Sequence, residues 1–128
     1  MSAFAFSRDE VCAIHSAAIE RFGGLDGVRD EGMLASALAQ PFQTFDGEEL
    51  YPSAVEKACR YAVGVISGHP FLDGNKRTGA ALLGAYLRMC GVDFAPDHAA
   101  FLSAMLSVAD GSMGYKELVN WVRSEAGF

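Results

Sequence analysis

A chain of 128 residues, 51% hydrophobic and 20% charged, has the length of one domain (1–128) and can bury roughly two-thirds of its unfolded surface. Its formal net charge of −6 and pI of about 4.9 argue against nucleic acid as the main ligand, because a nucleic-acid binder carries a broad basic face. The apolar stretches Ala54–Ser67 and Thr78–Cys90 are broken by Glu56, Lys57, Arg60 and Arg88, so neither is the charge-free run of about 20 residues that spans a membrane. Met1–Phe6 lacks the basic and apolar regions of a signal peptide, and a cytoplasmic protein is expected. Cys12, Cys59 and Cys90 are odd in number, widely spaced and without a CxxC pair, which predicts packed free thiols rather than disulfides or a zinc site.

Taken in chain order, Ser7-Arg8-Asp9-Glu10 is a capping box that opens the first helix. Val11, Ile14, Ala18 and Phe22 follow at helical spacing, and Gly23-Gly24 stops the run. Asp30 caps a short second helix through Met33, Leu34, Ala37 and Leu38, ended by Pro41. Pro41–Tyr51 reads as an irregular functional loop, in which Asp46-Gly47 is the turn signal of a small hairpin-like flap. Glu48 and Glu49 read as its solvated face. Pro52 suits the first turn of a third helix running to about Ser67.

A fourth helix begins near Asn75, ends by Cys90-Gly91, and is apolar nearly all round, which places it at the centre. Asp97 caps a fifth helix, and Gly111-Ser112 separates it from a sixth through Tyr115, Leu118, Val119 and Val122. The fold class expected is therefore all-α: a compact bundle of about six helices with a small flap.

Between the third and fourth helices lies His69-Pro70-Phe71-Leu72-Asp73-Gly74-Asn75-Lys76-Arg77. A glycine-containing loop running into a helix start presents unpaired amides and the positive end of the helix dipole, a combination that binds phosphate. Lys76 and Arg77 add full positive charges, the arginine as a fork of donors. Asp73 is the carboxylate that could hold magnesium together with substrate phosphates. His69 could accept the proton of an attacking hydroxyl. Taken singly, each has an ordinary reading. His69 could be a surface residue, Asp73 a helix cap, and Lys76 and Arg77 solvated first-turn residues. Phe71 is assigned to packing, as the anchor of the loop, and Gly74 to keeping the backbone accessible. His15, among apolar neighbours, is read as structural. His98 is read as an exposed first-turn residue, and Trp121 as packing for the last helix.

Together the residues resemble the signature of the Fic/Doc family, His-x-Phe-x-Asp/Glu-Gly-Asn-Gly/Lys-Arg. His69, Phe71, Asp73, Gly74, Asn75, Lys76 and Arg77 match every specified position. Arg21-Phe22-Gly23-Gly24 and Arg88-Met89-Cys90-Gly91-Val92 resemble the flanking stretches of the death-on-curing (Doc) toxins, so the likeness covers roughly residues 8–125.

The resemblance implies a compact helical fold with a small flap, placed at Pro41–Tyr51, beside the active site, a general base at His69 and a metal ligand at Asp73. It implies a nucleotide- or phosphate-binding cradle at Gly74, Asn75, Lys76 and Arg77, with His69, Lys76 and Arg77 as catalytic residues, ATP as substrate and Mg²⁺ as cofactor. Most adenylyl-transferring relatives have glycine at the position of Lys76. The Doc branch has lysine there and resembles a protein kinase that acts on elongation factor Tu, arresting translation. The alternatives are a nucleotidyl transferase using the same motif and a non-catalytic binding module of the same fold. Against the last stands the retention of His69, Asp73 and Arg77 together. Some members restrain themselves with a helix bearing Ser/Thr-x-x-x-Glu-Gly/Asn. The nearest match, Ser16–Arg21, fails at Arg21, which implies control in trans by an antitoxin protein.

Overall fold

A computed structural model describes residues 4–128. Six helices follow in the expected order: α1 (Arg8–Phe22), α2 (Glu31–Ala39), α3 (Ala54–Gly68), α4 (Asn75–Met89), α5 (His98–Asp110) and α6 (Tyr115–Glu125). A 3₁₀ turn, Gln40–Phe42, follows α2. It leads into a two-stranded antiparallel hairpin of β1 (Thr44–Phe45) and β2 (Glu48–Glu49).

The helix ends obey the local chemistry of the sequence. The Ser7 hydroxyl accepts from the Glu10 amide and the Glu10 carboxylate accepts from the Ser7 amide, closing the box that starts α1. Asp30 and Asp97 cap α2 and α5. The third helix differs from expectation. Its cap is Ser53, in a second capping box with Glu56, and Pro52 lies one residue before that cap rather than in the first turn. Two reciprocal side-chain bonds at Ser53 satisfy more orphan amides than a proline in the first turn can, and so set the boundary.

The core lies where α3 meets α4. Ala58, Cys59, Tyr61, Ala62 and Val65 of the one are completely buried, as are Leu82, Leu83, Tyr86 and Leu87 of the other. Helix α4 is not apolar all round, because Lys76, Arg77, Ala81, Arg88 and Met89 remain exposed along one stripe. All three cysteines are free thiols, and burial pushes Cys59 up to about 12, so it stays protonated and inert near neutral pH.

Two glycines of α4 behave oppositely. A Cβ on Gly79 would come within 2.6 Å of Ile66 Cγ1 and 3.2 Å of the Ala62 carbonyl oxygen, so the glycine is what lets α3 and α4 approach. A Cβ on Gly84 would meet only the mobile end of the Arg88 side chain, at 3.3 Å. Gly79→Ala is expected to destabilise the fold, because an overpacking cost of about 1–3 kcal/mol exceeds the roughly 0.5–1 kcal/mol that alanine gains in a helix. Gly84→Ala is expected to stabilise it by that smaller amount. Urea denaturation of the two variants checks the opposite signs.

The hairpin forms on the expected turn: Asp46 and Gly47 both have positive φ (52° and 82°), the backbone of a type I′ turn. Its base is tied to the first half of α3. Lys57, 1% exposed, donates to Glu49 at 2.8 Å and to the Tyr51 carbonyl. Glu49 is thus not merely a solvated loop residue. It neutralises the buried ammonium, which would otherwise carry a large desolvation cost.

Candidate active site

The segment 69–77 joins the C-terminus of α3 to the N-terminus of α4, and its geometry is held from outside. His69 is the C-cap residue of α3 in the left-handed conformation (φ 50°), with its amide donating to Val65 O at 3.2 Å. Its carbonyl accepts from Arg29 Nε at 2.6 Å, and the Gly68 carbonyl accepts from Arg29 Nη2 at 3.2 Å. Arg29 therefore satisfies carbonyls that the helix end leaves orphaned. The backbone of His69 is fixed while its side chain is exposed, and among the described residues no hydrogen bond engages the ring.

Next, residues 27–30 run alongside the loop. The Arg29 and Asp30 amides donate to Pro70 O, the Leu72 amide donates to Gly27 O, and Val28 pairs with Phe71 as an isolated bridge. Phe71 is buried as anticipated, stacked on His15 with centroids 3.9 Å apart and planes within 7°.

The expected phosphate cradle departs from the sequence reading in one respect. The Asn75 side chain does not face outward. Its Oδ1 accepts from the Phe71 amide and its Nδ2 donates to the Phe71 carbonyl, both at 3.1 Å. It closes the loop, and what it leaves for an anion is its main-chain N–H. Gly74 is the N-cap of α4 with φ 75° and contributes no side-chain cap. The amides of Asn75, Lys76 and Arg77 thus open the helix without an acceptor among the described residues. Lys76 and Arg77 are exposed and paired with no carboxylate among the described residues, and the Arg77 guanidinium lies 4.3 Å from the centroid of the Phe22 ring.

Asp73 is exposed beside them. One carboxylate oxygen accepts from the Gly74 amide at 2.9 Å, and the other has only a long contact, 3.4 Å, from the Leu25 amide. Asp73 therefore does not cap α4, and its carboxylate keeps lone pairs free. Among the described residues no three His, Cys, Asp or Glu side chains gather into a metal cage. A single carboxylate beside an anion cradle fits magnesium, which takes one or two carboxylates and completes its shell with phosphate oxygens and water.

These groups line the mouth of a cleft of about 880 Å³ between α4 and α5. Its floor is the α4 stripe Arg77, Ala80, Ala81, Gly84 and Arg88, where Ala80, Ala81 and Gly84 leave room. Its wall is the α5 stripe from His98 through Phe101, Leu102 and Met105 to Leu106. Three cationic side chains (Lys76, Arg77, Arg88) face a single carboxylate (Asp73), so the cleft is locally positive on an acidic chain. An apolar wall with a cationic, amide-lined mouth suits an anion that carries a flat organic group, such as a nucleotide. No hairpin residue lines this cleft.

Sequence reasoning missed Arg29, Phe22 and the α5 wall. A signal existed for Phe22, since His15, Ile19 and Phe22 fall on one stripe of α1. His98 is exposed in the first turn of α5, as expected, and also lines the cleft.

Comparison with known proteins identifies the class to which this bundle and its loop–helix site belong. The Fic/DOC family model matches residues 5–87, and the chain belongs to that family. It is 40% identical over 76 residues to Toxin Doc of Mycolicibacterium smegmatis, covering 59% of this chain and 58% of that protein. It is 37% identical over 86 residues to Protein kinase doc of Escherichia phage P1, covering 67% of this chain and 68% of that one. Both relatives bear the Doc name, so the likeness to that branch holds.

Proposed function

We propose that this chain is a Doc-type toxin that acts as a protein kinase, transferring the γ-phosphate of ATP to a hydroxyl of elongation factor Tu in the cytoplasm and so arresting translation. The observation that carries the reading is Lys76, which is exposed beside Arg77 in the first turn of α4, where a smaller residue would leave the cradle clear. The phage relative's name, Protein kinase doc, points the same way.

In this reading the His69 ring accepts the hydroxyl proton as the oxygen attacks the γ-phosphorus. The bond from that phosphorus to the bridging oxygen breaks, and ADP leaves. Lys76, Arg77 and the amides of residues 75–77 hold the charge on the phosphoryl oxygens, which is most of what such a transfer asks of a protein. Asp73 would hold magnesium, whose charge offsets that of the phosphates. The nucleotidyl-transfer alternative uses the same residues with the α-phosphate beside His69.

Control falls to an antitoxin in trans. The imperfect inhibitory pattern Ser16–Arg21 lies inside α1, where Ser16 Oγ donates to Asp26 at 3.1 Å, so this segment is already committed to the fold. The antitoxin segment would fold into a groove on the domain. Expression of the chain alone in a bacterium is expected to stop growth, with phosphate on elongation factor Tu recovered from the arrested cells, and the His69→Ala form is expected to be harmless. Unimpeded growth with abundant, folded wild-type protein would sink the toxin reading.

A further inference from the structure

Three residues of one α1 stripe each meet a different part of the motif. His15 is 1% exposed, and its Nε2 lies 2.7 Å from the Asp73 carbonyl oxygen. A carbonyl only accepts, so Nε2 carries the hydrogen and donates. The other ring nitrogen lies 3.4 Å from Asp26 Oδ1, the oxygen that Ser16 also engages. One turn on, Ile19 Cδ1 fills the space beside Gly74, where a Cβ would sit 3.0 Å away. A further turn on, Phe22 supports the Arg77 guanidinium. Just past the helix, a Cβ on Gly24 would come within 2.7 Å of Asp73 Oδ2.

We propose that His15 is a positioning residue for the phosphotransfer site: by holding the Asp73 carbonyl it fixes the 73–74 peptide, and with it the direction of the Asp73 carboxylate and of the first amides of α4. This inference rests on the proposed phosphotransfer reading for its catalytic consequence, not for its structural one. Packing alone does not require an imidazole. A phenylalanine would stack on Phe71 as well and would bury no polar atoms.

The test uses the full chain. His15→Phe keeps the flat ring and removes the donor, and His15→Gln loses the stack and retains a donor. In His15→Phe, amide hydrogen exchange across residues 69–79 is expected to quicken by about 10-fold or more while the α3 peptide 54–68 is unchanged. The magnesium concentration for half-maximal transfer from ATP is expected to rise by about 10- to 100-fold, the range typical when a group supporting a metal ligand is lost. His15→Gln should recover most of both. A simple loss of packing would lower the melting temperature without moving the magnesium midpoint, and Gln would then be no better than Phe. Wild-type exchange at 69–79 in His15→Phe overturns the proposal.

Should that variant fail to fold, the wild-type chain still decides. His15 is the one buried histidine among three, so it alone should show a slowly exchanging ring N–H in a nitrogen–proton spectrum, and absence of that signal contradicts the proposal. If the wild type transfers nothing from ATP, the phosphotransfer reading fails while the exchange and ring N–H results still stand or fall by themselves.

Discussion

Replacing His69 with alanine is expected to slow transfer by about 100- to 10,000-fold, the loss typical of a missing general base. The fold should survive the change. His69 ends α3, and the bonds that hold this end are made by its main chain: its carbonyl and that of Gly68 accept from Arg29, and its amide donates to Val65. The left-handed backbone (φ 50°) disfavours alanine slightly, so His69→Asn is the companion variant, because asparagine tolerates that conformation. Both should bind ATP nearly as the wild type does, since the cradle lies on α4. Turnover measured beside calorimetric ATP binding checks the two halves of the prediction. Near-normal turnover in both variants would remove His69 from the chemistry.

Arg77→Ala is expected to cost about 100- to 1,000-fold in turnover, as when one pre-aimed donor to a developing negative charge is deleted. The guanidinium is exposed, unpaired with any described carboxylate, and rests against the Phe22 ring at 4.3 Å, so it is free to meet an anion. Arg77→Lys should recover only part of the loss, because a point charge replaces a planar pair of donors. Thermal stability should change little in either, since an exposed cation–π contact contributes only about 0.5–1 kcal/mol. A lysine variant with full activity would show that charge alone suffices there.

What the sequence made legible was what neighbours within four residues decide. The Ser7–Glu10 capping box, the Asp46-Gly47 turn and the glycine stops rest on residues within four of one another, so spacing alone reveals them. The same logic located the loop–helix junction at Gly74 and the motif around it. Competition between two local signals misplaced the start of α3, where Ser53 with Glu56 outweighs Pro52.

The rest depends on partners far apart in the chain. His15 reaches Asp73 across 58 residues, and Arg29 reaches His69 across 40. The pairing of Lys57 with Glu49 spans only eight residues, yet it requires the hairpin to fold back on α3. Asn75 shows the limit differently: a residue inside the motif, four positions from its partner, spends its side chain on the loop backbone rather than on a ligand. The composition of a motif says which groups are present, and only the fold says which of them are free.

The most direct test of the account is to incubate the purified chain and elongation factor Tu with ATP labelled either at the γ- or at the α-phosphate. Glycine at position 76 would leave room for two phosphates to lie deep along the amides. In the proposed reading a lysine there would take up that room and add charge, which would favour a single terminal phosphate beside His69. The wild-type chain is predicted to transfer the γ-label and not the α-label. Lys76→Gly is predicted to lose most of the γ-transfer. Efficient incorporation of the α-label by the unaltered chain would contradict the kinase reading and assign the site to nucleotidyl transfer.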